Sequence, residues 1–175
     1  MAIPRFAPGV LKFQRDVFPA RKDFFEKLSQ GQSPEALFIT CSDSRIETGM
    51  MTQTDPGELF ICRHAGNIVP PHTNQTGGMT ASIEFASAVL EVPHIIVCGH
   101  TECGAMKSAM QLHDDSNSLD TLPHVREWLG YSRAAVDIAD EDDRGVGVGG
   151  HFHVHDIAVA QVYFGRAPRA FEHCH

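Results

Sequence analysis

The chain has 175 residues, of which 42% are hydrophobic and 21% charged, and this size and composition predict one globular domain with a substantial core. Its formal net charge of −8 argues against nucleic acid or an anionic membrane surface as the main partner and favours a small soluble substrate. No apolar run reaches the roughly 18 residues of a membrane helix, and the first residues lack the apolar stretch of a secretory signal, so we expect a cytoplasmic protein. The 5 cysteines are an odd number and favour thiols or metal ligands over a disulfide framework.

The first half of the chain alternates between helical and strand patterns. The segments GVLKFQRDVF and ARKDFFEKL have apolar residues at helical spacing and predict two helices separated at Pro19. Three short apolar runs predict strands buried on both faces: ALFIT (36–40), ELFIC (58–62) and HIIVC (94–98). The segment MTASIEFASAVLEV predicts a crossover helix between the second and third strands, which implies that the strands are parallel.

The second half predicts further helices and a last strand. CGAMKSAM and LPHVREWLGYSRAAV are typical of helices, whereas DIADEDDRGVGVGG, acidic and then glycine-rich, indicates an exposed flexible connection. HFHVHDIAVAQVYF (151–164) alternates as an edge strand does. We therefore expect an α/β fold with a mostly parallel central sheet of about four to five strands, flanked by helices, with the last strand at the sheet edge.

Reactive side chains follow the first and third predicted strands. CSDSR begins with Cys41 where the first strand ends, and His100 and Cys103 follow the third strand. Parallel strands end at the same edge of a sheet, so these three side chains can converge there. Two thiolates and one imidazole suit zinc and leave the fourth tetrahedral position open for chemistry. An isolated HxxC or strand-end cysteine usually binds no metal, but Asp43 and Arg45 beside the other three favour a site.

Four segments resemble the β-class carbonic anhydrases in order and spacing, from about residue 10 to about residue 135: CSDSR, GELFICRHAGNIVPP, GGMTASIEFA and VCGHTECGAM. The resemblance implies that Cys41, His100 and Cys103 bind zinc. It also implies an enzyme that catalyses the reversible hydration of CO2 to bicarbonate and a proton by zinc-bound hydroxide. Asp43 would orient that hydroxide or, in a closed and inactive state, coordinate zinc itself. Arg45 would hold the carboxylate away from the metal.

The resemblance also implies a substrate pocket and an assembly. The pocket residues would be Gln32, Phe60, Ala65, Phe85 and Gly104. Gln32, with Phe38 where a switchable subtype has Trp, resembles the constitutively active form. In this family the pocket forms at a dimer interface and the N-terminal helices pack on the neighbouring subunit, so a homodimer or dimer of dimers is implied. One domain over 1–175 would then comprise an N-terminal helical arm (1–33), a zinc-site core (34–135) and a shortened tail with the edge strand (136–175).

Two departures from the family pattern keep alternatives open. His64 replaces an Asn of the family, and DEDDRGVGVGG stands where family members have long helices before the final strand. One alternative is a hydrolase of CS2 or COS on the same fold; another is a catalytically impaired zinc-binding structural or assembly paralogue. The presence of Asp43 and Arg45 argues against the paralogue, since a purely structural zinc site needs neither. Weaker candidates for a second metal are His151, His153 and His155, and His173, Cys174 and His175.

Overall fold

The structure is a computed structural model that describes residues 6–71, 76–143 and 162–166. The chain forms two compact units, Met1–Ser33 and Pro34–His175. The division falls where the predicted N-terminal arm ends, while the assignment of arm, core and tail to one domain stays a prediction. Within the described ranges, no helix is long and apolar enough to cross a membrane.

The described part of the N-terminal unit is helical from Phe6 to Leu28 except at Arg21. Helix α1 (Phe6–Lys12) continues through a π-helical turn (Phe13–Val17) into α2 (Phe18–Ala20), and α3 (Lys22–Leu28) follows. The predicted break at Pro19 is wrong: the backbone leaves the helical conformation at Arg21, with φ −119° and ψ 30°. Pro19 instead lies inside this continuous helical stretch, two residues before the break at Arg21.

The described residues of the second unit contain a four-stranded sheet in the order β2-β1-β3-β4. Its strands are β1 (Ala36–Cys41), β2 (Leu59–His64), β3 (His94–Cys98) and β4 (Val162–Arg166). Strands β2 and β3 pair with β1 in parallel, and β4 pairs with β3 in antiparallel orientation. The predicted α/β fold with a mostly parallel sheet and the last strand at an edge is confirmed. Of the strand predicted over 151–164, only the end falls in β4, and residues 144–161 lie outside the described part of the chain.

Burial differs between the parallel strands. Every residue of β1 is buried, as predicted, and Leu37 and Ile39 join Cys62, Ala86 and Val92 in a core cluster. The prediction of burial on both faces is wrong for β2, where Ile61 is 44% exposed, because β2 is an edge strand of this chain's sheet. It is also wrong for β3, most of which is only half-buried.

Helices flank the sheet and carry the chain between its strands. The crossover from β2 to β3 is α5 (Gly78–Glu84), extended by a π-helical turn (Phe85–Val89), as predicted. The remaining helices are α4 (Thr48–Thr52), α6 (Gly104–Asp114), α7 (Pro123–Gly130) and α8 (Arg133–Asp143), and a short 3-10 turn covers Ala65–Asn67. Ile68, which follows this turn, forms a second core cluster with residues of α6, α7 and α8: Ala109, Leu129 and Val136.

Two helical predictions in the second half need correction. The segment LPHVREWLGYSRAAV is two helices, α7 and α8, because the chain turns at Ser132. The Ser132 hydroxyl donates to the carbonyl of Leu129 (2.7 Å), and the Ser132 carbonyl accepts from the N–H of Val136 (3.0 Å). The acidic residues predicted as a flexible connection are helical as far as Asp143, because they extend α8.

Candidate metal centre

Three metal-ligating side chains meet where β1 and β3 end. Cys41 is the last residue of β1, and His100 and Cys103 lie in the loop between β3 and α6. Their ligand atoms all lie within 4.8 Å of one another, and the two sulfurs are 3.9 Å apart. Both cysteines are 5% exposed. The parallel pairing of β1 with β3 therefore brings together the three residues that the sequence pattern selected.

The geometry of this group fits a tetrahedral metal. Two sulfurs on one zinc, each about 2.3 Å from the metal, lie about 3.8 Å apart. The Nδ1 atom of His100 lies 2.9 Å from the carbonyl oxygen of Thr101, so a proton on Nδ1 donates to that oxygen and leaves a lone pair on Nε2. Nε2 is buried and makes no hydrogen bond to any described residue. Such an atom fits a metal ligand, because a buried polar atom otherwise needs a hydrogen-bond partner.

Backbone N–H groups face both sulfurs. The N–H of Gly66 donates to the Cys41 sulfur at 3.4 Å. Cys103 precedes the first residue of α6, where the backbone N–H groups of Ala105 and Met106 favour the thiolate form of its sulfur. Burial raises the pKa of the Cys103 thiol, and these N–H groups partly oppose that rise. Metal binding to this site must therefore displace a thiol proton.

Asp43 and Arg45 form a tight pair beside the three ligands. Oδ1 of Asp43 accepts from the backbone N–H and the Nε–H of Arg45, both at 2.9 Å, and Oδ2 accepts from Nη2 at 2.7 Å. Nη2 of Arg45 also donates to the carbonyl of Glu102 at 3.0 Å. The hydrogen bonds from Arg45 hold the pKa of the Asp43 carboxyl well below its usual range. Oδ2 of Asp43 lies 3.9 Å from Nε2 of His100, so the carboxylate faces the metal group.

Asp43 is not a member of the metal-binding group formed by the described residues. Its two carboxylate oxygens are engaged by Arg45, as expected for a carboxylate held off a metal. The closed state, in which Asp43 would itself be a ligand, stays a prediction.

Arg63 supports the site although the sequence interpretation did not select it. Its Nε donates to the carbonyl of Cys41 (3.1 Å) and its Nη2 to the carbonyl of Asp43 (2.8 Å). Arg63 pairs with Thr40 in the register of β1 and β2, so it lies beside the end of β1. Its position in GELFICRHAGN, near the end of a predicted parallel strand, is the signal that could have identified it.

The residues predicted to bind substrate occupy different places. Gly104 begins α6 directly after Cys103, and Ala65 follows β2 and lines a cavity of about 640 Å3 beside Arg63 and His64. Phe60 and Phe85 lie with their ring centroids 6.0 Å apart, and Phe60 packs against the core cluster of β1. Phe60 pairs with Leu37, four residues before Cys41, which places it about 13 Å along the strand. Within one chain, the two rings are thus placed away from the metal group.

Two other sets of predicted residues remain untested. Gln32 belongs to the N-terminal unit, and its role in substrate binding stays a prediction. The histidines at 151, 153 and 155, and the cluster of His173, Cys174 and His175, lie outside the described residues.

Comparison with known sequences agrees with these motifs. A sequence model of the carbonic anhydrase family matches residues 36–159. A carbonic anhydrase of Pseudomonas aeruginosa is 51% identical over 127 residues, which are 73% of this chain and 56% of the relative. One from Synechocystis sp. is 47% identical over 131 residues, which are 74% of this chain and 46% of the relative. The chain spans about half the length of the curated relatives it matches.

Comparison with solved structures gives the same family. The β-carbonic anhydrase CcaA superposes with a TM-score of 0.74 at 41% identity, covering 83% of this chain and 68% of that one. The β-carbonic anhydrase CafA of Aspergillus fumigatus has a TM-score of 0.64 at 27% identity, covering 82% of this chain and 65% of that one.

Proposed function

Because the chain belongs to the β-class carbonic anhydrase family, we propose that it binds zinc through Cys41, His100 and Cys103 and catalyses the reversible hydration of CO2. The observation that carries this proposal is the Cys–His–Cys group with an ionised carboxylate facing it, held by an arginine. Zinc in a site of this kind supplies a Lewis acid that makes water a nucleophile at neutral pH. Three protein ligands leave one position of the tetrahedron for chemistry.

We assign Asp43 the task of orienting the attacking water. Each carboxylate oxygen has two lone-pair directions, so Oδ2 keeps one after accepting from Arg45. That oxygen lies 3.9 Å from Nε2 of His100 and so faces the metal group. The low pKa of Asp43 keeps the carboxylate ionised and able to accept a hydrogen bond at neutral pH. Arg45 fixes the angle of the carboxylate through a fork of two side-chain N–H groups.

We further propose that the substrate pocket is completed by a second copy of the chain. Phe60 and Phe85 offer the apolar wall that CO2 needs, but they lie away from the metal group of their own chain. Strand β2 is an edge strand, and Ile61 on it is 44% exposed, while Val89 after α5 is 63% exposed. Edge strands with exposed apolar side chains are commonly covered by a partner. A homodimer, or a dimer of dimers, would cover this face and bring the two rings to the neighbouring site.

Stopped-flow measurement of CO2 hydration on zinc-quantified protein tests the proposal. We expect a rate well above the uncatalysed reaction and proportional to bound zinc. Parallel assays with CS2 and COS distinguish the alternative hydrolase, which would turn these over while leaving CO2 hydration at the blank rate. Stoichiometric zinc with no turnover of any of the three substrates would identify a structural or assembly protein instead.

A further inference from the structure

We propose that Trp128 is a positioning residue for the metal centre, acting through the single peptide unit that joins Ala65 and Gly66. The indole Nε1–H of Trp128 donates to the carbonyl oxygen of Ala65 at 2.8 Å. The N–H at the other side of that peptide, that of Gly66, donates to the sulfur of Cys41 at 3.4 Å. The atoms of one peptide unit are coplanar, so the indole and the sulfur hold the same rigid plane from opposite sides. The inference rests on the proposed function, since it concerns a ligand of the proposed zinc.

The backbone after this peptide adopts a conformation that favours glycine. Gly66 has φ +78° and Asn67 has φ +46°, so two consecutive residues lie in the left-handed region. A glycine permits rotation of the adjoining peptide at little steric cost. A rotated peptide would turn the Ala65 carbonyl oxygen, rather than the Gly66 N–H, towards the Cys41 sulfur. The hydrogen bond from Trp128 stabilises the orientation that presents the N–H.

The indole is held in place by its own surroundings. Trp128 packs against the second core cluster, beside Leu129, which is 1% exposed. Its ring meets that of His64 edge-on, with centroids 5.0 Å apart, and that of Tyr131 at 5.8 Å. These contacts restrict the ring and hold the indole N–H towards the Ala65 carbonyl.

The two hydrogen bonds also act on the electrons of the Cys41 sulfur. Donation to a carbonyl oxygen polarises the peptide and strengthens the hydrogen bond made by its N–H. An N–H that donates to a thiolate draws charge from the sulfur and orients its lone pairs. Loss of the indole N–H should therefore leave Cys41 a less well oriented ligand, which weakens metal binding. Groups that support metal ligands in this way typically change metal affinity by roughly 10-fold to 100-fold when removed.

Cadmium-113 NMR on the full chain tests this inference. The chain has 1 Trp, so its indole N–H resonance belongs to Trp128 without ambiguity. With 113Cd bound, we expect an indole proton protected from exchange and a scalar coupling between the Gly66 amide proton and the metal through the sulfur. In Trp128→Phe, we expect a changed 113Cd chemical shift, loss of that coupling and roughly 10-fold weaker cadmium binding. Tyr131→Phe, which alters the neighbouring ring and keeps the indole N–H, is the matched control and should reproduce the wild-type spectrum.

The outcomes distinguish a failure of the proposed metal site from a failure of the proposed role of Trp128 alone. A wild-type chain without a 113Cd resonance in the range of two thiolate ligands would overturn the proposed metal site and this inference with it. A normal wild-type resonance that is unchanged in Trp128→Phe would overturn the inference alone. Should Trp128→Phe fail to fold, the wild-type spectrum decides: a coupled Gly66 amide with a protected indole N–H supports the role of Trp128, and absence of either contradicts it.

Discussion

Arg45 donates three hydrogen bonds to the carboxylate of Asp43, which lies two positions earlier in the chain. The backbone N–H and the Nε–H of Arg45 both donate to Oδ1 of Asp43, and Nη2 donates to Oδ2. The same Nη2 reaches the carbonyl of Glu102, on the loop that carries Cys103. A local turn thus fixes the carboxylate, and one long-range hydrogen bond ties it to the metal loop.

This relationship predicts that catalysis and metal binding respond differently to substitution of the pair. Asp43→Asn and Arg45→Gln should each lower kcat/KM for CO2 hydration by about 10²-fold, because the attacking water loses its oriented acceptor. Zinc content, measured by atomic absorption, should stay near the wild-type value because neither residue is among the three ligands. Arg126→Gln provides a control, since it removes another arginine–aspartate hydrogen bond, to Asp120 at 2.6 Å, away from the centre. Full activity in Asp43→Asn would mean that the carboxylate orients nothing.

A second prediction concerns Gly66. An added Cβ would lie 2.5 Å from Cε of Met106 and 3.1 Å from Cβ of Ala105, at a φ of +78°. Gly66→Ala should therefore lower the free energy of unfolding by about 1–3 kcal/mol and weaken zinc binding by disturbing the N–H that faces Cys41. Denaturant unfolding and zinc titration measure the two effects. Gly130→Ala, where an added Cβ meets no atom within 4 Å, should be neutral or stabilise by up to about 1 kcal/mol; equal losses in both variants would refute the steric argument.

A third prediction concerns the strand that supports Cys41. Leu37 is fully buried in the core cluster of β1, so Leu37→Ala should lower the free energy of unfolding by about 2–5 kcal/mol through lost contacts and the cavity left behind. Val125→Ala on α7, where Val125 is 39% exposed, should change it by less than about 0.5 kcal/mol. Urea unfolding of the two variants checks this contrast. Similar stabilities would mean that β1 is not the centre of the core.

The metal group could be predicted from the sequence because it depends on rules that act locally. An apolar run followed by reactive side chains marks the end of a buried strand, and parallel strands end at one edge. These two rules place Cys41, His100 and Cys103 together, and their ligand chemistry with Asp43 and Arg45 beside them indicates a metal site. The pairing of Asp43 with Arg45 came from the family resemblance, and the structure contains three hydrogen bonds between them.

The contacts that surround the metal-binding residues could not be predicted from local sequence patterns. Trp128 and Ala65 are 63 positions apart, and their hydrogen bond depends on how α7 packs, which no local pattern specifies. The sequence also does not predict the exposure of β2, because hydrophobic periodicity identifies a strand but does not indicate whether that strand lies at a sheet edge. The sequence pattern predicts a connection for the acidic residues before Asp143, whereas α8 continues through them.

A fourth prediction follows from the exposed edge of the sheet. Light scattering on the purified chain should give at least twice its mass of 19.2 kDa, because a second copy would cover β2 and complete the substrate pocket. Ile61→Lys places a charge on that edge strand and should shift the distribution towards the monomer while lowering CO2 hydration. Lys is the residue that sheet edges use to prevent pairing. A monodisperse wild-type monomer with full activity would contradict the shared pocket.

The proposal that Cys41, His100 and Cys103 hold a catalytic zinc is tested most directly by titrating zinc into the metal-free chain and measuring the initial rate of CO2 hydration. We predict that the rate rises linearly and reaches a plateau at one zinc per chain. We predict no rise with Cys41→Ala, His100→Ala or Cys103→Ala, while Cys62→Ala, which changes a buried cysteine of the core cluster, behaves as the wild type. A rate that does not depend on zinc, or a plateau that persists in the three ligand variants, would contradict the assignment of this group as the catalytic metal centre.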